Sequence, residues 1–266
     1  MSDLPLHDAL AIPAPGSEES VVLATVGGGG KTTLLFAIAA ERAAGRRDES
    51  VSVLTTTTKF TVPARAQQFP TVLATNPLVR AAAIADVRGK GLPTVLVAGG
   101  RGERGRLLGV ERDWPRQALG IDGVSFVGVE ADGSAGRPFK APASHEPVIP
   151  AGVTHVVAVV GVEVLGKPLD ARSVHRPELA AAIAGVEEGE AVTAEIVALV
   201  LSDAEGGRKG VPPSGSNRAR FAVMVTRVGR DREGARAIGQ ACREKGLDVV
   251  VGWDAWEGCV EELAED

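Results

Sequence analysis

Two rhythms of apolar residues alternate along this chain. Runs dominated by valine, leucine and threonine read as buried strands at positions 21–26, 51–55, 71–74, 94–98, 124–130, 153–161, 221–226 and 248–252. Between them, apolar residues spaced three to four apart read as helices. The first covers 31–44, with Leu34, Leu35 and Ile38 on one side and Gly45 as its C-terminal cap. Another opens at Asn76-Pro77, a capping residue followed by a first-turn proline. Further helices are expected at 177–184, 193–201, 232–245 and 254–264. Continuous apolar strands separated by helices predict an α/β fold with a mostly parallel sheet covered on both faces. The Gly/Arg-rich stretch 99–106 interrupts this alternation as a hairpin tip, its three arginines reading as a solvated loop or, less readily, as a phosphate clamp, and 203–220 reads as an exposed, mobile loop. Residues 1–19, rich in Pro, Ala, Ser and Glu, read as a flexible lead-in to a single α/β domain over 20–266.

Composition narrows the function classes. With 44% hydrophobic but only 3% aromatic residues, the core must be packed from aliphatic side chains. A net charge of −5 argues against a general nucleic-acid binder. The two cysteines, Cys242 and Cys259, fit neither a disulfide scaffold nor a zinc site, and read as small helix residues or, less simply, as a selenium-carrying thiol. No apolar run reaches transmembrane length, and the start lacks the basic and apolar stretches of a secretory signal. A cytoplasmic protein that binds no membrane is expected.

The most specific stretch is Val21-Val-Leu-Ala-Thr-Val-Gly-Gly-Gly-Gly-Lys31-Thr-Thr. A strand enters a turn of Gly27, Gly28, Gly29 and Gly30, where missing side chains let backbone N–H groups converge on an anion. The helix that follows contributes unpaired donors and a positive dipole end. Lys31 would neutralise phosphate charge and the Thr32 hydroxyl, beside Thr33, would ligate Mg2+. The pattern nears G-x-x-x-x-G-K-[ST], with Thr25 in place of the first glycine. It is also similar to the K-G-G-x-G-K-[ST] loop of dimerising P-loop ATPases, with Val26 replacing the lysine that reaches a neighbouring subunit. A homodimer therefore stays open.

The strand at 124–130 ends in Glu130-Ala-Asp132. Carboxylates at a strand's C-terminal edge can order a metal and position an attacking group, and alternation puts both acids on one face. Thr55 to Thr58 and Lys59 follow another strand. Thr57, Thr58 and Lys59 can face a phosphate or acidic substrate, or the threonines can simply finish a strand. Arg137 and Lys140 are candidates for a second anion site or for a solvated loop. His145-Glu146 and His175-Arg176 lie on proline-flanked loops and can bind a transition metal, exchange protons, or do neither.

The segment from Glu130 to Pro150, containing Arg137-Pro-Phe-Lys140 and His145-Glu-Pro, resembles the selenium-dependent hydroxylase accessory proteins of the YqeC family. Val26-Gly-Gly-Gly-Gly-Lys-Thr-Thr33, Thr55-Thr-Thr-Thr-Lys-Phe60, Gly161-Val-Glu-Val-Leu-Gly-Lys-Pro-Leu169 and Val174-His-Arg-Pro-Glu178 carry the same resemblance in the same order. It implies a P-loop NTPase-like protein that assists maturation of selenium-dependent molybdenum hydroxylases, with a hydroxylase or cofactor-maturation protein as partner. Where relatives and GTPases often carry Asn-Lys-x-Asp, this chain reads Thr226-Arg-Val-Gly229, with Asp231 two positions late. ATP with Mg2+ is therefore expected, and GTP stays open. A Mg-dependent NTPase is the leading expectation. The alternatives are a kinase or ligase acting on a small anionic metabolite and a nucleotide-binding scaffold without turnover.

Overall fold

In the computed structural model, residues 4–46, 49–61, 69–212, 219–255 and 259–263 are described. The strands are β1 Val21–Gly27, β2 Val51–Thr56, β3 Thr71–Leu73, β4 Thr94–Ala98, β5 Gly100–Arg101, β6 Leu107–Leu108, β7 Val124–Glu130, β8 Phe139–Lys140, β9 His155–Gly161, β10 Val174–His175, β11 Arg220–Thr226, β12 Val250–Asp254 and β13 Cys259–Glu262. The helices are α1 Leu6–Ala9, α2 Lys31–Gly45, α3 Pro77–Gly89, α4 Trp114–Ala118, α5 Pro177–Ala184, α6 Ala194–Ser202 and α7 Arg232–Glu244. Among the described residues, no helix is long and apolar enough to cross a membrane.

The main sheet has nine strands in the order β13-β12-β11-β9-β1-β7-β2-β4-β3, all parallel except β13. Strand β1 is central, paired with β7 from Val21↔Phe126 to Thr25↔Glu130 and with β9 from Leu23↔His155 to Gly27↔Val159. Its side chains alternate between two layers. Val21 and Leu23 pack with Leu34, Leu35 and Ile38 of α2, whereas Ala24 and Val26 join the cluster that includes α5, α6 and α7. A strand buried on both faces has no polar face, which explains its apolar run, broken only by Thr25, whose hydroxyl donates to the Val129 carbonyl. The chain leaves β1 through α2 for β2 and later returns to place β7 between them, so ends of nonconsecutive strands meet beside β1. Crevices at such reversals of strand order are where open α/β sheets hold ligands.

Three expectations need correction. Residues 4–12 are docked: Leu6, Ala9, Leu10 and Ile12 are buried, the Leu6 N–H donates to Glu41, and Ala11's carbonyl meets His155 Nε2 at 3.0 Å. Within the predicted helix at 254–264, the described residues are instead the end of β12 and the antiparallel β13, with Val251 opposite Glu262 and Asp254 opposite Cys259. Val260 and Leu263 are buried there, so an edge strand covers the sheet's flank. Gly45 ends α2 as its last helical residue and Arg46 is the cap. Within 203–212, turns close through Gly206 N–H to Asp203 and Gly207 N–H to Val200, while the remainder of that expected loop, 213–218, lies outside the described residues.

Candidate functional site

The glycine loop is held from below by backbone. Gly28 N–H donates to the Val159 carbonyl at 2.8 Å, and Gly29 N–H to the Arg137 carbonyl at 3.1 Å. Gly27 and Gly29 have φ of +90° and +81°, and an added Cβ would meet Val159 O at 2.4 Å or Gly161 N at 2.5 Å. Glycine is thus required by both dihedral and contact. Above this support the loop opens into a cleft of about 420 Å³, lined by Gly29 to Thr33, Lys59 to Thr61, Arg106, Glu130, Gly133 to Gly136 and Arg227. Helix α2 starts at Gly30 without a side-chain cap, so its first N–H groups are left for the cleft.

The two acids divide the loop between them. Thr32 donates its hydroxyl to Glu130 at 2.5 Å. Asp132 lies 3.2 Å from Lys31 Nζ and accepts the Gly27 N–H at 3.1 Å, while Lys31 also donates to the Gly27 carbonyl at 2.5 Å. Lys31 and Asp132 are both buried. Burial pushes the Glu130 carboxyl above its ordinary value, against the opposing pull of Lys31 and the Thr32 hydroxyl. A cation set beside Thr32 and Glu130 would relieve that desolvation.

Behind Asp132, charges alternate. Lys140 contacts Asp132 at 3.1 Å, Glu146 at 2.6 Å and the Gly133 carbonyl at 2.6 Å. Glu146 also accepts from Arg176 at 2.7 Å. Lys140 is therefore fully occupied, and it positions Asp132 rather than lining an anion site. Arg137 does not line the cleft either, because its guanidinium donates to the Ala171 carbonyl at 2.8 Å. Thr57 donates to the Val148 carbonyl at 2.7 Å and the Thr58 N–H donates to the Thr56 hydroxyl, so these two, just past the end of β2, bond within the protein and do not line the cleft. Lys59 does line the cleft.

His145 is exposed, and His175 is half-buried beside Lys140 across the β8–β10 pair. Desolvation, with Arg176 and Lys140 nearby, lowers the His175 pKa and keeps the ring neutral at neutral pH. Among the described residues no group of three or more His, Cys, Asp or Glu is arranged to hold a metal ion, so the transition-metal reading of these loops finds no cluster. Cys242 is buried and its thiol is pushed up to about 12, leaving no thiolate for carrying selenium at neutral pH. The side chain of Cys259 lies outside the described residues.

One contributor escaped the sequence reading. The Thr226 hydroxyl donates to the Gly29 carbonyl at 2.6 Å, tying the end of β11 to the loop. Arg106, on the tip that reads as a solvated loop or a phosphate clamp, reaches the cleft wall. Arg227, at φ +60° and ion-paired with Glu163, stands between this cleft and a neighbouring one of about 330 Å³ lined by Thr33, Thr226, Trp253 and Ala255.

Fold and site together define an α/β protein with a mostly parallel sheet, whose central strand turns through a glycine loop into a helix at a polar cleft. The model of the family described as YqeC protein matches residues 23–178, more than half of the chain, and the chain belongs to that family. The matched stretch holds the glycine loop, both acids and the Lys140–Glu146–Arg176 network. A segment of 84 residues is 37% identical to "Uncharacterized protein YqeC" of Escherichia coli (strain K12), covering 32% of this chain and 33% of that protein. The matched segment thus spans about a third of that relative's length. No solved structure matches the chain.

Proposed function

We propose that the cleft binds a nucleoside triphosphate with Mg2+, in the manner of a P-loop NTPase, and that its turnover serves the maturation of selenium-dependent molybdenum hydroxylases. The observation that carries the nucleotide reading is the paired arrangement at the loop: Thr32 on Glu130 and Lys31 on Asp132, beneath an uncapped helix start. The residues fit the groups. The N–H groups of Gly30 to Thr33 would cradle the phosphates, Thr32 and Glu130 would hold the metal, and the metal would neutralise charge developing on the phosphates. Lys31 would leave Asp132 to meet phosphate, and Asp132 would then orient the attacking group. The adjoining cleft at Thr226, Arg227 and Trp253 has room for the nucleoside. ATP is preferred because Thr226-Arg-Val-Gly229 offers no carboxylate where guanine would need one.

The maturation role rests on the family resemblance alone, and a hydroxylase or cofactor-handling protein is the partner it implies. Single-turnover phosphate release, with and without such a partner, tests the reading. Glu130→Gln and Asp132→Asn should each slow release at least about tenfold, equivalent to roughly 1.4 kcal/mol of barrier. Wild-type release matched by both variants would remove the acids from the reaction.

A further inference from the structure

The cleft carries more positive charge than its glycine loop uses. Phe60 and Leu107 form an isolated antiparallel bridge, with N–H to carbonyl distances of 2.9 and 2.8 Å in the two directions. Both side chains are buried in the cluster beneath α2. Alternation along an extended chain therefore turns the neighbours Lys59, Thr61 and Arg106 to the opposite side. All three line the cleft. Lys59 and Arg106 are exposed, and neither side chain has an ion-pair or hydrogen-bond partner among the described residues. The antiparallel register sets Arg106 opposite Thr61 and Lys59 diagonal to it, so two cations without partners among the described residues share one wall of the cleft, distinct from the loop that carries Lys31. The turn Gly133 to Gly136 completes this region, and Glu130 is the acid lining the same cleft.

We propose that Lys59 and Arg106 bind a second oxyanion, a small phosphomonoester or comparable dianion, in the same cleft as the nucleotide's terminal phosphate. This rests on the nucleotide reading of the loop for its co-substrate role, but the anion site itself does not. In that reading the phosphate chain is served by Lys31, the uncapped N–H groups at the start of α2 and the metal, so the pair beside the Phe60–Leu107 bridge is left for another ligand. Arg106 can present two N–H groups to paired oxygens, and Lys59 adds a mobile point charge.

The test titrates inorganic phosphate calorimetrically into protein saturated with a non-hydrolysable Mg-ATP analogue and into nucleotide-free protein. The double variant Lys59→Gln/Arg106→Gln is compared in both. Phosphate should bind the loaded wild type saturably and weaken at least about tenfold in the variant, while analogue affinity stays within about threefold. Unchanged phosphate affinity, or no phosphate binding by loaded wild type, overturns the proposal. So does an equal loss of analogue affinity, because the cations would then clamp the nucleotide itself. If wild type binds no analogue yet nucleotide-free protein loses phosphate affinity in the variant, the oxyanion site stands and the nucleotide reading falls.

Discussion

Asp132 accepts the backbone N–H of Gly27, so the carboxylate that faces Lys31 also fixes the entrance of the glycine loop. One side chain thereby links the end of β7 to the end of β1. It also sits between two buried ammonium groups, Lys31 at 3.2 Å and Lys140 at 3.1 Å. Loop shape and loop charge are consequently set together.

Asp132→Asn should therefore destabilise the ligand-free protein as well as slow turnover. The amide keeps an acceptor for Gly27, but Lys31 loses its ion-pair partner and Lys140 is left with Glu146 alone. Breaking a buried pair from one side costs about 3 kcal/mol or more. Urea denaturation of wild type and variant measures this directly. Equal midpoints would mean that the Asp132 charge does not balance these lysines.

Glu146 gives a pH signature. Burial alone would raise its pKa, but hydrogen bonds and charge from Lys140 and Arg176 outweigh burial and hold it below the ordinary 4.5. A carboxylate with a lowered folded pKa stabilises fully above its unfolded value and loses that contribution as pH falls through the folded one. Wild type should lose stability as the pH drops below 4.5, and Glu146→Gln should flatten that limb while lowering stability at neutral pH. Parallel curves for the two proteins would contradict the network. Glu130 has the opposite sign: its raised carboxyl disfavours folding as it ionises, so its contribution falls as pH rises through the ordinary value toward the folded one.

The docked N-terminal segment gives a third expectation. Leu10 is 2% exposed and packs with Leu6 and Ile12 against the α2 side of the sheet. Leu10→Ala should cost about 2–4 kcal/mol. A chemical melt within error of wild type would return residues 4–12 to the status of a loose tail.

Much of this was legible because local chemistry and global position agree at β1 and α2. The central strand is buried on both faces, the turn is glycine where backbone crowds it, and Asn76 caps α3 by accepting the N–H of Leu78. The failures are of another kind. The stretch 259–263 is short and acidic, and only pairing with β12 makes it a strand. Lys140 reads as a surface cation until Asp132 and Glu146 close around it. Arg106 reads as loop charge until the Phe60–Leu107 bridge, a contact between distant parts of the chain, turns it to the cleft. No periodicity encodes such meetings.

The central claim is that the start of α2, Gly30 to Thr33, holds a magnesium nucleotide where the internally bonded turn Gly27 to Gly29 presents it. Equilibrium titration of ATP and GTP into folded wild type and Lys31→Ala, with and without Mg2+, tests it most directly. Saturable binding by wild type is expected, strengthened by Mg2+ and weakened at least about tenfold, or roughly 1.4 kcal/mol, by the substitution. If folded wild type binds neither nucleotide, or if Lys31→Ala binds as well as wild type, the loop does not hold a nucleotide in this way.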